Sequence, residues 1–168
     1  MNWLLWMLFL NLSPREERFC SCMYNDDFSR IVQQTEVILN GVVKDFRDTV
    51  LIREVMTDDG QTVLGLSTAN RRMATLELKA VYKGKIKKGS AYIFTGTGRG
   101  DCGYDFTVGK TYIIYGHWQK QLINEQGDTT QLVFTDICTR TNVFGRNEEK
   151  AIKQELKKHP TPHIPHSP

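Results

Sequence analysis

The residues best equipped for chemistry are four cysteines, Cys20, Cys22, Cys102 and Cys138. In Cys20-Ser21-Cys22, two of them stand one residue apart, which gives the wrong Cα geometry for an unstrained bridge between them. Each must look elsewhere, and the other two cysteines lie far downstream. The economical solution is a pair of long-range disulfides that fasten one short N-terminal segment to two places on a folded body. An even cysteine count suits an oxidising compartment. The competing chemistry is a four-cysteine zinc site. Zinc ribbons place C-x₂₋₄-C knuckles on both sides, whereas here one C-x-C faces two single cysteines, so we expect no metal and no cofactor of the protein's own. A segment held this rigidly is either a structural clasp or a preorganised tip.

Other chemistry-bearing residues are sparse. There is no nucleophile elbow, no H-E-x-x-H and no Cys/His dyad signature, and the carboxylates are scattered, so an enzyme is not expected. Gly96-Thr97-Gly98-Arg99-Gly100-Asp101 is neither a dinucleotide fingerprint nor a P-loop, because no helix opens after it and no Gly-Lys-Ser/Thr follows. It reads as a flexible connection needing positive φ angles. Its Arg99-Gly100-Asp101 tripeptide, an integrin-type signal, is discounted as a chance match beside a cysteine. His117 reads as a surface or packing residue, and His159, His163 and His166 as part of a tail. Lys79, Lys83, Lys85, Lys87 and Lys88 form a local basic cluster, read first as a solvated strand end and second as a polyanion patch.

The elements that must position the cysteines are mostly strands. A short helix is expected from Asp26 to Gln33, capped by Asn25 or Asp26. Strands are expected over Thr35–Val43, Thr49–Met56 and Thr62–Leu66, the last two joined by an Asp58-Asp59-Gly60 turn. Further strands cover Met73–Tyr82, Ala91–Thr95, Lys110–Gly116 and Gln131–Thr135. In the first of these, Leu76, Leu78 and Ala80 share one face, while Thr75, Glu77 and Lys79 share the other. Asn147–Lys158 reads as a helix with Asn147 as N-cap, glutamates in its first turn, lysines in its last and Ala151, Ile152 and Leu156 as an apolar stripe. Many strands and one late helix predict an all-β fold, a small antiparallel barrel with a C-terminal helix.

At 168 residues and a formal net charge of +3, the chain has room for one domain, and the mild charge gives no reason to expect nucleic acid as a partner. Trp3–Leu10 is an unbroken apolar run of signal-peptide length, too short to span a bilayer. The expected organisation is a leader over 1–19, a folded domain over 20–158 and a Pro/His-rich tail over 159–168, exported to the cell envelope or beyond.

With the C-x-C and the strand pattern in hand, further motifs fall into order. They are Ala80-Val81-Tyr82-Lys83-Gly84, then Cys102-Gly103-Tyr104, Val108-Gly109-Lys110-Thr111-Tyr112-Ile113-Ile114-Tyr115-Gly116 and Cys138-Thr139. Their order and spacing over residues 20–143 resemble the netrin-like module, specifically the N-terminal domain of tissue inhibitors of metalloproteinases in its short, single-domain bacterial form. The resemblance implies an OB-like five-stranded antiparallel barrel with a helix packed on it, and pairing of Cys20 with Cys102 and Cys22 with Cys138. It implies a chain that begins at Cys20 after processing, whose free α-amino group and carbonyl chelate the catalytic zinc of a metalloendopeptidase. Ser21 would then enter the specificity pocket, Cys22 and Met23 would complete the wedge, and Asp101 and Cys102 would form a neighbouring ridge. The family's third disulfide in this domain has no counterpart, since Gln33 and Gln34 occupy its starting region. The other function implied is a netrin-like extracellular binding module that holds a protein or polyanion, with Lys83, Lys85, Lys87 and Lys88 as its patch. In either case a monomer is expected.

Overall fold

The computed structural model describes Cys20, Cys22 and residues 27–56, 62–86, 89–98, 100–122 and 129–160. Its elements are α1 (Phe28–Gln34), β1 (Val37–Met56), β2 (Thr62–Lys83), β3 (Ser90–Thr95), β4 (Thr111–Leu122), β5 (Thr129–Phe134), β6 (Asn142–Val143) and α2 (Arg146–Lys158). The fold is mostly β. The five longer strands pair in the order β1-β2-β3-β5-β4, and β4 returns to β1, so they form a closed ring with β6 added against β4. The expected leader, the Asp58-Asp59-Gly60 turn and residues 161–168 lie outside the described residues. No described helix is long and apolar enough to cross a membrane.

Ring closure corrects the expectation of a purely antiparallel sheet. Strand directions cannot alternate all the way round a ring with an odd number of members, so one neighbouring pair must run the same way. That pair is β3–β5, with Ile93 opposite Val133 and Phe94 opposite Phe134. The β1–β4 seam has opposed register from Val37–Gly116 to Val42–Thr111, plus an isolated parallel pairing of Ile52 with Leu122.

Burial on both faces explains the unbroken apolar runs. Val37, Leu39, Tyr112 and Ile114 point into the ring with Val43, Leu76, Ile93, Phe106 and Val133. Their neighbours Ile38, Ile113 and Tyr115 point outward, under Val32 of α1 and Ile152 of α2. A strand covered on both sides loses the apolar–polar alternation.

Two expected strand pairs are in fact single long strands. Thr35–Val43 and Thr49–Met56 fuse into β1, while Thr62–Leu66 and Met73–Tyr82 fuse into β2. The polar residues that suggested a break, Lys44, Asp45, Arg47 and Asp48, lie in a continuous strand and ion-pair on its surface. Lys44 lies 2.6 Å from Glu77, and Arg72 lies 3.8 Å from Asp48. Bulges keep the core in phase: Lys44 and Lys79 are skipped in the β1–β2 register. The bulge at Lys79 shifts the side-chain parity by one residue. Val81, not the expected Ala80, therefore follows Leu78 onto the ring core. Tyr82 turns outward to the helices. β4 runs past the expected end at Gly116 to Leu122.

Both helix caps differ by a residue or two from expectation. Asp27 caps α1, accepting from the amides of Ser29 and Arg30. α2 starts after Gly145, and Asn147 is not its cap. Its first-turn glutamates turn back to the sheet. Glu148 accepts from the Tyr115 hydroxyl at 2.9 Å, Asn142 at 2.9 Å and Arg140 at 2.8 Å. Glu149 accepts from the Tyr82 hydroxyl at 3.0 Å. Burial, and after it the adjoining carboxylates, push both phenols well above the ordinary tyrosine range. At the other end His159, expected in the tail, closes α2 with its amide on the Glu155 carbonyl.

Ile152 is fully buried beneath α2. Ile152→Ala is therefore expected to cost about 2–5 kcal/mol in urea-induced unfolding, through lost burial and the cavity left behind. A loss near zero would mean that α2 is not part of the cooperative core.

Candidate functional site: the N-terminal clasp

The parallel pairing of β3 and β5 decides where the cysteines meet. Because the two strands run the same way, the loops that follow them leave the same end of the ring. One loop carries Cys102 and the other Cys138. The amide of Ile137 donates to the carbonyl of Cys102 at 3.0 Å, so the two anchors are stitched together directly. A C-x-C segment can therefore reach both. Cys20 pairs with Cys102 at a Cα separation of 5.4 Å, and Cys22 with Cys138 at 5.1 Å. This matches the pairing implied by the family resemblance and leaves no cysteine free. The bridges close sequence separations of 82 and 116 residues, each worth on the order of 4–5 kcal/mol in the loop-entropy model, as an upper figure. Ser21 and Met23, the other expected wedge residues, lie outside the described residues.

Each anchor loop is organised by an aspartate. Asp101 accepts from the amides of Thr97 and Gly98, both at 2.8 Å, and from the Thr97 hydroxyl at 3.3 Å, with Arg71 at 3.5 Å. Burial alone would raise the Asp101 carboxyl. The amide and hydroxyl donors and Arg71 outweigh it, leaving the group below its ordinary range. The glycine loop takes the positive φ angles expected of it, 81° at Gly98 and 87° at Gly100, and closes as a turn whose amides gather on a carboxylate. A Cβ on Gly103 would collide with the carbonyl of Gly96, and Cys102 is held at φ 58°, in the left-handed region. Asp101, expected as a contact residue on the ridge, serves as the loop's internal latch. Arg99 lies outside the described residues, and the Asp101 carboxylate of its tripeptide is already committed.

The second loop uses Asp136 in the same way, accepting from the amides of Cys138 at 2.8 Å and Thr139 at 2.9 Å. Beneath it lies a knot of threonine hydroxyls that sequence reasoning missed. Thr135 donates to the Tyr115 carbonyl at 3.0 Å, and Thr141 accepts from the Tyr115 amide at 2.9 Å. The Thr135 and Thr141 hydroxyls lie 2.7 Å apart. These side chains fill the gap on the edge of β4 away from β1, between its pairings with β6 at Ile113 and β5 at His117, and they fix the Cys138 loop to the ring. The signal in the sequence is a run of threonines around a cysteine, which composition alone does not distinguish from a polar loop.

A cleft of about 540 Å³ opens beside this loop, lined by Gln34, Glu36, His117, Cys138 and Arg140 among others. Its ionisable groups are engaged structurally. Glu36 accepts from the Trp118 amide at 2.6 Å, His117 packs on the Phe134 ring at 5.4 Å and Arg140 pairs with Glu148. No group of three or more His, Cys, Asp or Glu side chains that could hold a metal occurs among the described residues.

The expected polyanion patch is not gathered into one free surface. Lys83 is turned onto the last turn of α1, donating to the carbonyls of Val32 at 3.0 Å and Gln33 at 2.7 Å. It satisfies orphan carbonyls of that helix. Burial lowers its pKa, partly offset by Glu36. Lys79 pairs with Glu77, which Lys44 and Lys79 together hold at about 2. Lys85 is exposed, while Lys87 and Lys88 lie outside the described residues.

No protein-family model matches the chain, and no curated protein matches it.

Two outcomes follow from this geometry. Asp101→Ala should destabilise the domain by about 1–3 kcal/mol, because the Thr97 and Gly98 amides lose a charged acceptor. A carboxyl whose folded pKa lies below the ordinary aspartate range contributes stability that is present above that range and lost as pH falls through the folded value. The deficit of the variant should therefore be constant near neutrality and shrink on acidification below about pH 4, measured by denaturant titration across pH. An unchanged deficit in acid would show that the charge is not the latch. Lys83→Ala should cost about 1–2 kcal/mol through the two carbonyls it abandons, with heparin retention unchanged; retention that collapses while stability holds would return Lys83 to the surface patch.

Proposed function

We propose that this chain is a non-catalytic, extracytoplasmic protein of the netrin-like, tissue-inhibitor-of-metalloproteinases type. Its clasp, Cys20-Ser21-Cys22, blocks a zinc metalloendopeptidase. The observation that carries this reading is the anchoring of Cys20 and Cys22 to two stitched loops at one end of the ring. A tip that is rigid before it binds gives up little conformational freedom on binding. The ring order β1-β2-β3-β5-β4 with a single main parallel pair supports an OB-type barrel as the scaffold. Disulfides of this kind persist in oxidising compartments, which supports export.

The chemistry is that of a chelate. Once the residues before Cys20 are removed, its neutral α-amino nitrogen and its carbonyl oxygen form a five-membered ring with a metal that keeps an open coordination position. Water is displaced from the protease's zinc, and no bond of the inhibitor need be cut. While Phe19 remains attached, that nitrogen is an amide and cannot ligate, so processing between Phe19 and Cys20 switches the activity on. Ser21 would enter the specificity pocket, and Met23 would extend the wedge.

Two measurements test this. The non-reduced intact mass of the exported protein should correspond to Cys20–Pro168 less four hydrogens. That species should inhibit a zinc endopeptidase, and a form carrying one extra alanine before Cys20 should lose inhibition by at least a hundredfold with an unchanged unfolding midpoint. Equal inhibition by both forms would sink the chelate mechanism.

A further inference from the structure

The solvent face of α2 is a cationic stripe. Arg146, Lys150, Lys153 and Lys157 follow one another at i, i+4, i+7 and i+11 along the helix, and all four are exposed. With 3.6 residues per turn, this spacing stacks them in a single row about 16 Å long. Glu148 and Glu155 of the same helix point inward, while Glu149 flanks the row, shared between the sheet and Lys153. Glu148 and Glu149 take the Tyr115 and Tyr82 hydroxyls, and the buried Glu155 takes Ser29 at 2.6 Å. Lys153 reaches back to Glu149 at 2.7 Å and Lys158 to Glu155 at 3.2 Å. Arg146, Lys150 and Lys157 form no ion pair among the described residues. Folding thus sorts charges that are interleaved in the sequence, drawing Glu148 and Glu155 inward, pairing Glu149 with Lys153 at the edge, and leaving Arg146, Lys150 and Lys157 in a line.

We propose that this row is a binding surface for a linear sulfated or carboxylated polysaccharide. A straight row of cations on a rigid helix matches an extended polyanion, and counterion release favours contact with any chain of high charge density. The other exposed positions of α2 include Asn147 and Gln154 and no large apolar residue, so the helix lacks the hydrophobic side chains that an interfacial membrane helix inserts. Nor does the stripe carry an aromatic platform for stacking bases. The surface is independent of the clasp: it uses no residue of the wedge and needs no processing at Cys20.

The test uses the full chain with both disulfides formed and heparin as the probe. Salt-sensitive binding is expected, and the triple variant Arg146→Gln, Lys150→Gln, Lys157→Gln should weaken it at least about tenfold at low salt. The slope of log affinity against log salt should fall by roughly two to three, near one per lost contact. A charge-conserving set, Arg146→Lys, Lys150→Arg, Lys157→Arg, should retain affinity. Replacing Lys85, Lys87 and Lys88 with Gln should change it less than twofold. Four outcomes would overturn the proposal: no heparin binding at low salt, binding indifferent to the α2 triple variant, loss caused by the Lys85/Lys87/Lys88 set instead, or equally tight binding to duplex DNA or phosphatidylserine vesicles. Unchanged near-ultraviolet circular dichroism of the triple variant separates loss of binding from loss of fold.

Discussion

The structure depends on the closure of an odd ring. Five strands that pair all the way round cannot alternate in direction without one exception, and the exception falls at β3–β5. It sends the loops bearing Cys102 and Cys138 out of the same end. The C-x-C segment spans only one residue, so its partners must be neighbours before it can bridge to both. The topology of the sheet and the spacing of the N-terminal cysteines are therefore two expressions of one geometric requirement, joined by the Ile137–Cys102 hydrogen bond.

Around that constraint, polar side chains do much of the work that strands usually do. Asp101 and Asp136 each gather loop amides, and Thr135 and Thr141 close the Tyr115 backbone on the edge of β4 between its β6 and β5 pairings. These groups satisfy donors and acceptors that would otherwise be buried without partners, each such loss being worth about 1–3 kcal/mol. They also make the clasp end stiff. A rigid end with a short, doubly anchored N-terminal segment is the arrangement that a preformed inhibitory tip requires.

The helix-covered face of the ring is built differently. β1 and β4 are buried on both faces, one by the ring interior and one by the helices. α2 does this with few apolar residues, Ile152 and Leu156 foremost, and with glutamates that reach tyrosine hydroxyls in the sheet. Because those carboxylates reach the sheet, the outer face of α2 is dominated by cations and amides, with Glu149 at its edge. The molecule thus has two distinct surfaces of interest, a covalently stiffened tip and a basic helix face, with no shared residues.

The sequence by itself determined much of the local character. Apolar runs at Val37–Leu39 and Tyr112–Tyr115 announced strands with buried faces, and the unbridgeable Cys20–Cys22 spacing announced two long-range partners. Late glutamates and lysines announced α2. These are legible because residue type and spacing act over a few positions. What only the tertiary structure decided were the choices that depend on partners distant in the chain. Lys44–Asp48 stays in strand because β2 pairs with it from Thr75 to Arg72, and the surface ion pairs to Glu77 and Arg72 only decorate that ladder. Lys79 bulges and hands its core position to Val81. Lys83 leaves a basic cluster to cap α1, and Asp101 turns from a surface residue into a latch. A charge in a sequence has no neighbour until folding supplies one, and it is the neighbour that makes it a cap, a latch or a free surface.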